Sequence, residues 1–407
     1  MKQVDDSTSY IRAGWLIDGS GKAAQKDVLL VVNTGQIVFI KPYAPEIIPA
    51  NGQLTDLSFA TILPPLIDSH LHLSMSGAVD AALRENQLVA GCEELLPYIH
   101  RHLKQLFDHG VLAVRDGGDR HDCVLEFMAK GMSNYPIAIH SPGRAYHRAG
   151  RYGGLIGRAV AEGDSPAELL MRRNHQQDYL KVVNSGLNSL KEYGHETPPQ
   201  FSKDELKNLC ELAHSKQIKV MVHANGRVPV QQAIEAGCDS IEHGFFMGRK
   251  NLERMVEYGC TWVPTVVTMK AYAEVLEFEG NISGAAIAAR NYESQLEQLR
   301  QAKKIGVKVA LGTDSGSPGV LHGESVFEEM KLYGKAGYSL VETVQCATAN
   351  GAELLGLADK GILQTQAAAN FLVARGTPAQ LPRKLSYLEN IFIAGKPSAL
   401  YRKNPVK

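Results

Sequence analysis

Two histidines one residue apart, His70 and His72, close the mostly apolar string "ATILPPLIDSHLHL". Alternate residues of a strand point to the same side, so both imidazoles face one way. Two neutral imidazoles and a carboxylate suit Zn²⁺ or a similar divalent ion. Alone, such a pair is explained equally well as two histidines satisfied by hydrogen bonds at a strand end. Its company decides otherwise. Lys181 lies in "DYLKVVNSG", His223 in "VMVHANG", His243 in "SIEHG" and Asp314 in "LGTDSG". Each sits where an apolar run turns polar. A lysine usually reaches solvent or pairs with a carboxylate, and an aspartate among Gly and Ser commonly caps a turn. The order HxH, Lys, His, His, Asp, each at such an end, is hard to produce by accident.

The elements that must position these groups are eight strand-like runs between residue 61 and about residue 355, alternating with helix-like stretches such as 203–216 and 294–305. Continuous apolar strands suit a parallel sheet buried on both faces. Eight βα units over this length fit an α/β fold of the (β/α)8 TIM barrel type, in which the C-terminal strand ends form the active-site face. A doubly wound open sheet is the alternative. Residues 11–60 and the strings "GILQTQAAANFLVARG" and "LENIFIAGKP" carry short apolar or alternating runs separated by turn residues. They predict a small β-sandwich domain built from both chain termini, 1–60 and 358–407, with the barrel over 61–357.

Composition narrows the partners. The 407 residues carry 43 basic and 43 acidic side chains, a net charge of zero, which argues against nucleic acid or an anionic membrane as partner. No apolar run reaches the roughly 18 residues of a membrane span. Residues 1–10 are polar and acidic, without a signal-peptide pattern. The six cysteines form no CxxC pair, so free thiols of a reducing compartment and a cytoplasmic protein are expected, with no disulfide.

The same motifs resemble those of the amidohydrolase superfamily, in the prolidase-like branch of Xaa-Pro and Xaa-Arg dipeptidases. "ILPPLIDSHLHL" resembles the family's first-strand signature, with Pro65 where Gly is usual. "GWLIDGSG" and "ANFLVARGTP" resemble the start and the return of its small β domain, with Asn370 where Asp is frequent. "HGVLAVRDGG" resembles the branch's second strand. The resemblance implies a binuclear metal centre, with zinc as the expected metal. His70, His72 and Asp314 would hold one ion and His223 and His243 the other. Lys181, carboxylated by CO2, would bridge them. It implies a metal-bridging hydroxide as nucleophile, with Asp314 as the catalytic acid and base.

Substrate recognition falls to the long segment after the third strand, which holds His140, Arg144, Tyr146, His147, Arg148, Arg151, Tyr152 and Arg158. His140, Tyr146, Arg151 and Tyr152 are the candidate substrate-binding residues, and cationic groups there suit a substrate carboxylate. His322 is either a pocket group or a surface histidine at a helix start. The leading expectation is a metal-dependent dipeptidase-like hydrolase of an amide or peptide C–N bond in a dipeptide or N-acyl amino acid. A cyclic-amine deaminase or a lactone or ester hydrolase is the enzymatic alternative. A deaminase would favour Glu where Gly226 stands. A metal-free scaffold would be expected to have lost ligands. The expected partner is a small molecule, and a homo-oligomer is open.

Overall fold

The computed structural model describes residues 8–172, 177–357 and 360–403. The expected domain boundary at 357/358 and the first seven residues lie at or outside these limits. In chain order the strands are β1 (Thr8–Leu16), β2 (Gln25–Asn33), β3 (Gln36–Pro42), β4 (Gln53–Leu63), β5 (Leu66–Leu71), β6 (Val111–Asp116), β7 (Ala138–His140), β8 (Ala145–Arg148) and β9 (Gly157–Val160). They continue with β10 (Tyr179–Val183), β11 (Lys219–Ala224), β12 (Ser240–His243), β13 (Thr261–Val263), β14 (Phe371–Arg375), β15 (Leu388–Ile393) and β16 (Lys396–Pro397).

Both ends of the chain meet in one seven-stranded sheet, ordered β16-β15-β14-β4-β1-β2-β3. Its period-two apolar residues, among them Ile11, Ala13, Leu30, Val32, Phe371 and Val373, form a core of their own. The middle of the chain is α/β. Six strands pair in the order β13-β12-β11-β10-β8-β9 and three in the order β5-β6-β7, all parallel. Strands β5, β6 and β10 are buried along their whole length, as expected where helices cover the sheet.

The eighth expected strand, "VKVALGTDSG", is not a regular strand. Its extended backbone makes single pairings instead, Trp262 with Val309 and Leu71 with Ser315. It nevertheless joins the two sheets. Trp262 N donates to Lys308 O at 2.9 Å and Ser69 N to Leu311 O at 2.8 Å. Beyond these pairings Asp314 takes a left-handed backbone, φ 59°, in a segment rich in turn residues. The segment expected as a long loop after β7 is likewise more ordered than foreseen, since it contains β8 and β9.

Helices α1 (Ala81–Val89), α2 (Cys92–Asp108) and α3 (Cys123–Ala129) follow β5 and β6. Asp80 caps α1 by accepting from Leu83 N. Helix α2 buries Leu95, Ile99, Leu103, Leu106 and Phe107, a helical stripe on the core. Here one expectation is corrected: Cys92 and Cys123, at the starts of α2 and α3, form a disulfide. Pairing across 31 residues is set by how two helices pack, which cysteine spacing does not reveal. Cys210, Cys238, Cys260 and Cys346 are free and buried. Alkylation in denaturant without reductant should therefore label four thiols, rising to six after reduction; six labelled at once would refute the bond. Among the described residues no helix is long and apolar enough to cross a membrane.

Candidate active site

The six expected ligand residues line one cavity: His70, His72, Lys181, His223, His243 and Asp314. The His70 ring lies 5.7 Å from that of His72 and 4.8 Å from that of His243, which lies 4.7 Å from that of His223. Asp314 Oδ1 is 3.4 Å from His70 Nε2 and 3.5 Å from His72 Nε2. Strained backbone gathers here: His243, Thr265 and Asp314 all have positive φ, a pattern frequent at functional sites.

Hydrogen bonds fix which ring nitrogen faces the cavity. His72 Nδ1 donates to Gly118 O at 3.0 Å, leaving its Nε2 lone pair toward Asp314. His70 Nδ1 donates to Glu242 Oε2 at 2.7 Å, and its buried Nε2 has no hydrogen-bond partner. His223 Nε2 donates to Gly186 O at 3.3 Å, freeing Nδ1. His243 Nδ1 pairs with Thr265 Oγ1 at 2.7 Å. Imidazoles oriented through one nitrogen, with the other presenting a lone pair, are the arrangement of metal-ligating histidines. His70, His72 and Asp314 present one ligand atom each within 4.8 Å of one another. The donor set thus fits divalent ions.

The electrostatics agree. Burial lowers His72 to about 4 and His223 to about 3 and pushes His243 well down, so all three are neutral near pH 7. Burial raises the Asp314 carboxyl, but the close approach of His70, with His243 and His72 nearby, outweighs it and places the carboxyl below its ordinary range. Lys181 is 1% exposed. Burial first, opposed by the charge of Glu242, brings its amine down to about 8. A minor neutral fraction, far larger than for an ordinary lysine, therefore exists near neutral pH.

Supporting residues that sequence reading passed over lie behind the cavity. Glu242 accepts from His70, from Ser240 Oγ and from Arg115 Nη2, the last at 2.7 Å. Both Glu242 and Arg115 stood in the quoted strings. A carboxylate and a guanidinium inside two apolar strands was the available signal, since such groups are rarely buried unpaired. The chain after His72 is held from several sides. Asp116 accepts from Leu73 N, His102 Nδ1 binds Leu73 O at 2.8 Å, and His322 Nε2 binds His72 O at 3.1 Å. His322 is neither a pocket group nor a surface residue: it is buried and stacks on His102 at 3.9 Å.

Of the four expected substrate-binding residues, Tyr152 lines the cavity, its ring 5.4 Å from that of His223. The other three do not. Tyr146 packs in the hydrophobic core, because strand alternation turns it away. His140 lines a separate small cavity with Tyr179 and Lys219. Arg151 lies at the surface and donates to Pro198 O. The cavity's arginine is instead Arg84, on α1.

Gly117 must lack a side chain, because a Cβ there would lie 2.6 Å from His72 Nε2. Gly117→Ala should displace that ring, destabilise the fold by about 1–3 kcal/mol and weaken zinc affinity by about 10- to 100-fold. Competition with a chelator would check it, and unchanged affinity would refute it.

Parallel strands that bring four imidazoles, an amine and a carboxylate to one cavity define an α/β protein with a metal-ligating type of centre. The chain belongs to the amidohydrolase family, whose model it matches over residues 61–399. By family it is a hydrolase, and it is similar to solved structures of the prolidase-like group. An uncharacterized protein of Mycobacterium tuberculosis is 26% identical over 404 residues, covering 97% of this chain and 99% of its own. The ochratoxinase of Aspergillus niger is 27% identical over 378 residues, covering 84% of this chain and 75% of its own. A solved Xaa-Pro dipeptidase with methionine bound in its active site is 26% identical, with a TM-score of 0.79, covering 96% of this chain and 100% of that one.

Proposed function

We propose that this protein is a metal-dependent amidohydrolase that cleaves the amide or peptide C–N bond of a dipeptide or N-acyl amino acid. The reading includes a closed (β/α)8 barrel over 61–357 and a small β-sandwich domain from 1–60 and 358–407. The observation that carries it is the buried, unpartnered His70 Nε2, opposite Asp314 and beside His72 in the cavity. An imidazole lone pair left bare in the interior is costly unless an ion or another donor meets it.

His70, His72 and Asp314 would hold one ion, His223 and His243 a second, and Lys181 would bridge them. When bound, two divalent ions, zinc by donor type, would acidify water and polarise a carbonyl. The chain's own residues do the rest. The Lys181 amine, brought down to about 8, is neutral often enough to take up CO2. Loss of its proton leaves an anionic oxygen donor in place of a cation. Asp314, ionised, accepts a proton and returns it to the departing nitrogen. Apolar residues such as Phe245 and Met269 form part of the cavity wall.

The decisive test is a hydrolysis screen of dipeptides and N-acyl amino acids with zinc-reconstituted protein. Turnover of purine or triazine amines with none of amides would replace this reading by deamination. A second readout is independent of turnover: protein exchanged with ¹³C-bicarbonate should show a carbamate carbon resonance that Lys181→Arg lacks.

A further inference from the structure

The cavity described above contains one arginine, and its donors are only half committed. Arg84 projects from α1 and is half-buried. Its Nη1 donates to Ser76 O at 2.5 Å and to Gly316 O at 2.9 Å. Those two bonds use both Nη1 hydrogens and fix the guanidinium plane between the segments that follow β5 and Asp314. The remaining Nε–H and Nη2–H groups form a side-on fork, the geometry that grips a carboxylate through two parallel bonds.

Among the described residues no carboxylate forms an ion pair with Arg84. Other sheltered arginines do have one: Arg115 pairs with Glu242, Arg148 with Glu205 and Arg254 with Glu235. Burial lowers the Arg84 pKa, opposed by Tyr272 and the Asp314 carboxylate nearby. Arg84 therefore stands in a partly desolvated place without an acid, within electrostatic reach of Asp314, in a cavity also lined by apolar residues including Met75, Ile156 and Leu190.

We infer that Arg84 is the receptor for a free carboxylate on the substrate, close to the scissile amide, which makes the substrate an amide of an α-amino acid with an unblocked carboxyl group. This rests on the hydrolase reading for the word substrate, but the recognition itself is a binding property. The apolar lining favours a hydrophobic side chain or acyl group next to that carboxylate.

The test is calorimetric titration of the zinc-reconstituted protein with N-acetyl-L-leucine and with its carboxamide, alongside turnover of both. The acid should bind at least about 10-fold more tightly than the carboxamide. Arg84→Gln should weaken the acid by about 10- to 100-fold and leave the carboxamide nearly unchanged. Arg84→Lys, which keeps the charge but loses the fork, should narrow the gap between the two ligands. If Arg84→Gln does not fold, Arg84→Lys decides alone, and an unchanged gap overturns the assignment. So do equal losses for acid and carboxamide, which would mean that Arg84 only braces the two segments, or no binding of the acid at millimolar concentration. Discrimination without turnover of either ligand or of any amide in the screen above would defeat the proposed amide-hydrolase reading and leave the carboxylate receptor standing.

Discussion

Asp314→Asn is expected to lower kcat for the amide substrate by at least about 10³-fold. The substitution isolates charge from shape. Asparagine is among the few residues that accept a left-handed backbone, so the φ of 59° at this position is retained. The 2.7 Å bond from its backbone N–H to His70 O is retained as well. What disappears is the ionised oxygen facing His70 and His72. Steady-state rates together with zinc content measure the two consequences. A fall of less than about 10-fold with zinc retained would remove Asp314 from proton transfer.

The largest effect on stability should come from Arg115→Leu. The guanidinium donates to Ser69 O at 2.7 Å, to Ser240 Oγ at 3.0 Å and to Glu242 Oε1 at 2.7 Å, with almost no solvent contact. Removing it leaves the Glu242 carboxylate buried against His70 and Ser240 alone, a cost of about 3–5 kcal/mol. Denaturant midpoints check this. Combining Arg115→Leu with Glu242→Leu should restore part of the loss, because an apolar pair has no charge to strand. The double variant should still bind zinc poorly, because His70 loses the acceptor that orients it.

The pH dependence of that loss has a definite sign. Burial raises the Glu242 carboxyl, but Arg115 and His70 more than offset it and hold it at about 2, below its ordinary 4.5. A depressed acid stabilises the fold above the ordinary value, and the stabilisation disappears as pH falls through the depressed one. The stabilisation that Glu242 contributes to the wild type should be full above about pH 4.5 and fall steadily toward pH 2, so the gap to Arg115→Leu should narrow in acid. A gap that widened in acid would contradict the arrangement.

The parts of this molecule that could be read in advance share a physical cause. Strands covered on both faces must be apolar throughout, so β5, β6 and β10 showed as continuous runs. Groups that depart from such runs at their ends stood out, and the structure collects all six around one cavity. Features that depend on pairing between distant segments did not show. The bond between Glu242 and Arg115 spans 127 positions, and the Cys92–Cys123 link follows helix packing. Arg84 escaped notice because a single arginine on a short helix carries no periodic signal. Tyr146 was misjudged because the direction of a side chain in an irregular segment depends on strand register, and β8 was not foreseen.

The terminal sheet has a consequence for how the protein is made. Strand β4 carries β1 on one edge and β14 on the other, with Leu63 opposite Leu372. While the ribosome is still translating the intervening segment, that second edge has nothing to bond with and is a template for another chain. Messages cut short before β14 should yield sticky, aggregation-prone polypeptides however well their middle segment has folded, and a chaperone that shields strand edges should bind the nascent chain for most of its synthesis.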